Sequence, residues 1–279
     1  MRRRPERIEL KSAEQIQAMR RAGLVVAEAL QAMAAAAAPG VSTSDLDQVA
    51  RDVLRRAGAT SSFLNYDIGS GPYPAVICAS VNDRVVHGIP SRREKLADGD
   101  IISLDFGAIV DGWHGDAAVT VLVGAVSDEA RALSEACERA LWAGLAQARA
   151  GARIGDISHA VESSVRAAGS YGIVAGYGGH GIGSAMHMDP HILNYGRPGK
   201  GTRLVPGMAV AIEPMITLGS RATREHDDGW TVSTVDGSWS AHWEHTVAIL
   251  DDGPWVLTAP DGGRARLADL GVQVSALAG

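Results

Sequence analysis

The chain has 279 residues, 46% of them hydrophobic and 21% charged, with a formal net charge of -6. That length buries a sizeable core, and that balance excludes wholesale disorder. A negative charge without a long basic stripe excludes nucleic-acid binding as the main task. Cys78 and Cys137 are the only cysteines, which excludes a disulfide scaffold or a thiolate zinc cluster and fits a reducing compartment.

Residues 1–10 read as a short basic tail that frays, and residues 11–279 as one domain. Arg20-Arg21 before an apolar stretch reaching Ala38 has the look of a twin-arginine export signal. Glu28 and Gln31 interrupt that stretch, however, and Ile16, Met19, Gly23, Val26, Leu30 and Met33 recur at helical spacing. Ser12 with Gln15 makes a capping box, and Pro39-Gly40 stops the helix. No run reaches the roughly 18 apolar residues of a membrane span. The expectation is a cytoplasmic protein.

Ser42 and Asp45 open a second helix that Gly58 closes. A third is expected from Ser127 to about Ala150, with Cys137 on its apolar face as a small core residue rather than a reactive thiol. A fourth runs from about Asp156 to Ala168. Strands are expected at 101–110, 113–123, 208–218, 230–235 and 243–250, all rich in β-branched residues. Helices alternate with hairpins rather than with single strands, so the class is α+β. An internal repeat supports two related halves. With Gly40 set against Gly151, Asp45 meets Asp156, Leu46 meets Ile157, Arg55 meets Arg166 and Gly58 meets Gly169. Further on, residues 99–105 match 207–213 in pattern, ending on Asp105 and Glu213.

The stretch IISLDFGAIVDGWHGDAAVTVLV carries the most information. Asp111-Gly112 between apolar runs signals a two-residue hairpin. In that register Val110 faces Trp113 and Gly107 faces Asp116, which puts Asp105 on the face of Asp116 and diagonal to it. Two carboxylates converging from apolar strands repel and lose solvation, and a bound cation removes both costs. The second half adds His180 and His187 in GGHGIGSAMHMDP, Glu213 in AIEPM and Glu244 in HWEHT. A lone histidine is usually structural; the less ordinary observation is four acids set in apolar frames.

From about Lys11 to Ala268 these residues resemble the short bacterial type I methionine aminopeptidases. The resemblance rests on VNDRVVHGIP, LDFGAIVDGWHGD, GGHGIG with a histidine seven residues later, IEPM and WEHT, in that order. It implies the pita-bread fold, a curved antiparallel sheet flanked by helices with pseudo-twofold halves. It implies five metal ligands, Asp105, Asp116, His180, Glu213 and Glu244, an oxygen-rich set suited to Co²⁺, Mn²⁺ or Fe²⁺, with Zn²⁺ also admissible. The count of two ions comes from the resemblance, since aminopeptidases are known two-metal enzymes. Glu213 would shuttle the proton of the attacking water, and His87 and His187 would contact the substrate and its tetrahedral intermediate. Tyr66, Tyr73, Cys78 and Trp230 fall where the family walls the methionine side chain. Met186 stands where Phe is frequent, Phe63 where Cys is common, and the stretch Asp67–Gly71 is lengthened. The resemblance also implies a structural monovalent cation near Asn82 and Ser240, N-termini of nascent polypeptides as substrate, transient ribosome contact and a monomer.

Three alternatives share the frame. A proline-specific aminopeptidase or dipeptidase would keep the five ligands but usually carries a large N-terminal domain, and only 86 residues precede His87. A metal-free creatinase-like enzyme would have the ligands replaced. A ribosome- or RNA-binding relative would lose ligands and gain basic insertions. The complete acid set disfavours the last two.

Overall fold

In the computed structural model, which describes residues 7–278, the strand Trp113–Leu122 pairs on one side with Ile101–Val110 and on the other with Glu244–Leu250. That second pairing is the seam between two halves of one antiparallel sheet. Its order runs Thr60–Ser61, Ile101–Val110, Trp113–Leu122, Glu244–Leu250, Ala209–Ile212, Gly178–Gly181, Met188–Leu193. Ile77–Val81 also pairs with Ile101–Val110, and Gly253–Val256 with Glu244–Leu250. The hairpin has the expected register, Val110 opposite Trp113 and Gly107 opposite Asp116. Asp111 (φ 51°) and Gly112 (φ 79°) both take the positive φ that a type I′ turn demands.

Helices cover each half on its own core. Helix α1 (Ala13–Ala36) and α2 (Thr43–Ala57) bury Val26, Leu30, Met33, Leu46 and Val53 against Ile77, Leu104 and Phe106. Helix α3 (Asp128–Leu145) and α4 (Ile154–Ala168) bury Leu133, Leu141, Ile157 and Val161 against Val210, Ile212 and Val247. Both sequence-read capping boxes form: Ser12 with Gln15, and Ser42 with Asp45. Gly58 closes α2 in the left-handed conformation. The third helix stops at Leu145, short of Ala150. There Gln147 and Ala148 bond three residues back, and the amide of Gly151 donates to Leu204. Tertiary pairing ends an alanine-rich run whose propensity alone would continue.

The repeat is visible atom by atom. Gly40 (φ 89°) and Gly151 (φ 91°) donate to Leu96 and Leu204, which donate back to Val41 and Ala152. Ser42 bridges Lys95 and Arg153 bridges Arg203, while the carboxylates of Asp45 and Asp156 accept from the amides of Ser42 and Arg153. The expected α+β architecture with two related halves is the one observed.

One expected strand is split and another is shortened. The run at 208–218 becomes Ala209–Ile212 in the main sheet and Met215–Thr217 in a smaller sheet with Ser240–His242 and Gly172–Ile173. Pro214, which has no N–H to give a ladder, sits in the break. The chain crosses back between the same two sheets at Trp243, whose amide donates to Pro214. Glu213 and Glu244 therefore flank one crossing point. At 230–235 only Val232–Thr234 is strand, paired with Thr223–Glu225 and Arg84–Val86.

The tail expected to fray through residue 10 is seated from Arg7 onward; residues 1–6 lie outside the described residues. The carboxylate of Asp189 accepts the Arg7 amide, Ile8 packs on the second core, and the carboxylate of Glu9 meets both Ser184 and the buried ammonium of Lys11. The Arg20-Arg21 pair is consumed by tertiary contacts. Arg20 donates to the carbonyls of Leu257, Ala259 and Pro260, and Arg21 pairs with Asp111. No helix among the described residues is long and apolar enough to cross a membrane.

Candidate metal centre

Strand parity aims the acids at one place. Asp105 and Glu244 both lie opposite Ala118, one on each neighbouring strand. His180 and Thr246 both lie opposite Ala211. Residues two apart share a face, so Asp116 joins Ala118, Glu213 joins Ala211, and all five predicted side chains leave the same face. Ala118 and Ala211, both fully buried, keep the floor between them low. Where the seam opens at Asp116, the hydroxyl of Thr246 completes the ladder, accepting the Asp116 N–H and donating to its carbonyl.

Donor atoms of Asp116, His180 and Glu244 lie within 4.8 Å of one another, as do those of Glu213, His242 and Glu244. Asp105 Oδ1, Asp116 Oδ1, Glu244 Oε1 and His242 Nε2 are buried without a hydrogen-bond partner. Orphaned buried carboxylate oxygens are costly. Burial pushes all four acids up, and repulsion from neighbouring carboxylates adds to it at Asp105, Glu213 and Glu244: Asp116 rises to about 7 and Glu213 to about 8, with Asp105 and Glu244 well above the carboxylate range. A divalent cation offsets both causes, so the residues present fit one. His180 suits the same role. Its Nδ1 lies 3.0 Å from the carbonyl of Gly181, an acceptor only, so Nδ1 carries the proton and Nε2 offers its lone pair. Burial holds its pKa down to about 3, so the ring stays neutral.

The two other predicted histidines flank the cluster. The His187 ring lies 4.4 Å from that of His180, and its Nδ1 is 2.7 Å from the hydroxyl of Tyr66. His87 sits at φ 60°, in the left-handed region that a non-glycine residue rarely occupies. Its ring packs 6.1 Å from that of Trp230, and burial lowers its pKa to about 4.

A cavity of about 790 Å³ opens onto the acids. One wall is an apolar cluster of Phe63, Tyr73, Cys78, Met186 and Trp230, with Tyr66 packed at its edge. All four predicted pocket residues thus line one space. Cys78 lies directly opposite Asp105 in the sheet, which makes the pocket adjoin the acids. Tyr73 is pinned by donating to Ile77 and Gly88, and its ring meets Trp230 edge-on at 5.1 Å. The lengthened stretch leaves Tyr66 in place because the loop is pinched at its base. Asn65 donates to Tyr73, Tyr73 donates to Tyr66, and the carboxylate of Asp67 accepts the amides of Gly69 and Gly71. Cys137, away from this site, donates its thiol to Pro214 and Ala241 in the core, as its place in the helix predicted.

One residue of the cluster was missed. His242 stands two positions before Glu244 in the HWEHT motif. That period-two spacing was its available signal, obscured because Trp243 marks a change of sheet.

Residues 17–251 match the sequence profile of metallopeptidase family M24. Methionine aminopeptidase 1 of Mycobacterium tuberculosis is 58% identical over 253 residues, which are 89% of this chain and 94% of the relative. The crystal structure of methionine aminopeptidase from Thermotoga maritima superposes with a TM-score of 0.87 at 37% identity, covering 90% of this chain and 99% of that one. An Xaa-Pro dipeptidase from Bacillus anthracis shares the fold alone, with a TM-score of 0.71 at 24% identity, and the match spans 62% of its chain. The chain belongs to metallopeptidase family M24 and, within it, to the type I methionine aminopeptidases of bacteria.

Proposed function

We propose that the protein removes the N-terminal methionine from nascent polypeptides whose second residue is small. The observation that carries this reading is a set of orphaned buried carboxylates at the floor of a cavity whose adjoining wall is aromatic and sulfur-bearing. Asp105, Asp116, His180, Glu213 and Glu244 would hold two divalent ions. Their oxygen-rich donors favour Co²⁺, Mn²⁺ or Fe²⁺ and admit Zn²⁺. Such ions, when bound, polarise a carbonyl and lower the pKa of a bound water.

The chain's own residues do the rest. Glu213, ionised as a metal ligand, accepts the proton of the attacking water and passes it on, as a carboxylate beside that water can. His187 donates from Nε2 to the scissile carbonyl oxygen. That tautomer needs an acceptor Nδ1, which the Tyr66 hydroxyl satisfies by donating to it at 2.7 Å. His87, which lines the same cavity, contacts the substrate. Tyr66, Tyr73, Cys78 and Trp230, joined by Phe63 and Met186, surround the thioether, whose unbranched chain and soft sulfur suit rings and a thiol.

The same reading carries a structural monovalent cation near Asn82 and Ser240, a cytoplasmic monomer and transient contact with the ribosome. Metal-reconstituted protein is expected to release methionine from Met-Ala-Ser and to leave Ala-Pro-Ala intact. The reverse preference would make it a proline-specific enzyme of the same fold.

A further inference from the structure

His242 lies outside every role described above, yet its imidazole is buried against the acids. It is 2% exposed. Its main chain is clamped by the first-half hairpin: the amide lies 3.2 Å from Ser103 Oγ and 3.0 Å from Thr120 Oγ1, and the carbonyl accepts the Thr120 hydroxyl at 2.9 Å. The pairing with Met215 holds it from the other edge. Its Nε2 has no partner. That atom stands 3.7 Å from Glu213 Oε2 and 3.9 Å from Glu244 Oε2. Glu213 is therefore held between two rings, with Oε1 3.6 Å from His180 Nε2 and Oε2 towards His242.

The neighbours of Nε2 decide the tautomer of the neutral ring. With both acids ionised, as metal ligands are, a lone pair directed at their oxygens would repel both, whereas an N–H is attracted to both. The distances exceed a hydrogen bond by roughly 0.5–1 Å. Small adjustments of the Glu213 and Glu244 side chains would close that gap.

Resting on the assignment of Glu213 and Glu244 as metal ligands, we propose that His242 is a positioning residue whose Nε2–H anchors the outward oxygens of Glu213 and Glu244. Outer hydrogen bonds of this kind orient ligand carboxylates, and their loss costs about 10–100-fold in metal affinity.

The test is titration of the metal-free protein with Co²⁺, followed by calorimetry and by the visible absorption of the bound ion, on wild type, His242→Ala and His242→Gln. Circular dichroism checks that each variant is folded. His242→Ala is expected to weaken Co²⁺ binding about 10–100-fold, and His242→Gln, which restores a donor, to recover most of it with the absorption band unmoved. On substrate, His242→Ala under saturating Co²⁺ should lower kcat more than it raises KM, since it touches Glu213 and not the pocket. Equal Co²⁺ affinity in wild type and His242→Ala would overturn this proposal alone. A band that moves in His242→Gln would also overturn it, by making His242 a ligand itself. Failure of the wild-type protein to bind Co²⁺ would remove the metal reading on which it rests.

Discussion

Asp105 and Glu244 face each other across Ala118, one from the first half of the chain and one from the second. Neither half holds the acid cluster alone. The sheet seam brings it together, and an alanine at the midpoint leaves room above the strands. The fold pays for this arrangement in buried, unpaired charge, and several expected outcomes follow from where that charge sits.

Asp105→Asn and Glu244→Gln should each abolish metal-dependent turnover and lower metal content, because each removes a charged ligand from a preformed site. Both acids are repelled by their neighbours when no cation is present. The chelated variants should therefore melt at or above the chelated wild type. Retained activity with wild-type metal content in either variant would refute the ligand assignment.

His187→Ala should keep its metal and lose about 10²-fold or more in kcat, the scale of removing one transition-state donor. Tyr66→Phe should lose about fivefold, equivalent to roughly 1 kcal/mol for one hydrogen bond, because it frees the His187 tautomer without removing the donor. Metal analysis beside steady-state kinetics separates the two. Collapse of metal occupancy in His187→Ala would reassign the residue as a ligand.

Specificity should follow the shape of the cavity. Met-Ala-Ser, Met-Gly-Ser and Met-Ser-Ser are expected to be cleaved well and Met-Phe-Ser poorly. A bulky second side chain displaces the scissile carbonyl, and a shift of about 1 Å can cost roughly 10² in rate. Leu-Ala-Ser should be a weaker substrate by about 10–200-fold, the range that pocket shape alone provides. The comparison is kcat/KM across these peptides, and equal values for Met-Ala-Ser and Met-Phe-Ser would contradict the cleft geometry.

The chelated protein should lose stability as pH rises from 6.5 to 8. Asp116 and Glu213 keep protons up to about 7 and about 8 in the folded state, whereas unfolded carboxylates release theirs near 4. Between those limits the folded state binds more protons, so stability falls as pH rises. Below 6.5 the opposite slope enters. His87, His180, His242 and His245 are held near 3 to 4 in the fold, and the unfolded chain takes up their protons first. Metal replaces the carboxyl protons, so the loaded protein should show no such fall and its metal affinity should climb through the same window. Thermal melts at pH 6.5 and 8, with and without chelator, measure this; a chelated protein that gains stability over that interval would contradict it.

Gly23→Ala should destabilise the protein although it replaces glycine inside a helix. The added Cβ would lie 2.2 Å from the carbonyl oxygen of Leu257, and Gly115 crosses the same point so closely that its own Cβ would meet the Gly23 nitrogen at 2.8 Å. These are backbone atoms and cannot rotate away. The helix-propensity gain of up to about 1 kcal/mol is outweighed by an overpacking cost of about 1–3 kcal/mol. A melting temperature at or above that of the wild type would show that α1 can move off the hairpin.

Short-range chemistry makes much of this protein legible in its sequence. The capping boxes at Ser12 and Ser42 span three residues, and the Asp111-Gly112 turn sets its own hairpin register, so Gly107 meets Asp116 by counting alone. The five acid and imidazole residues of the cluster, and the wall from Tyr66 to Trp230, are legible through motifs in order. Tertiary structure alone decides which of them face one another. The end of α3 at Leu145 depends on Leu204, the seat of Arg7–Lys11 on Ser184, Asp189 and Gly207, and the breaks at Pro214 and Trp243 on each other. The approach of His242 to Glu213 and of Tyr66 to His187 joins residues 29 and 121 positions apart. Spacing along the chain states which face of an element a side chain takes, but the partner across that face is set by packing between segments that share no local signal.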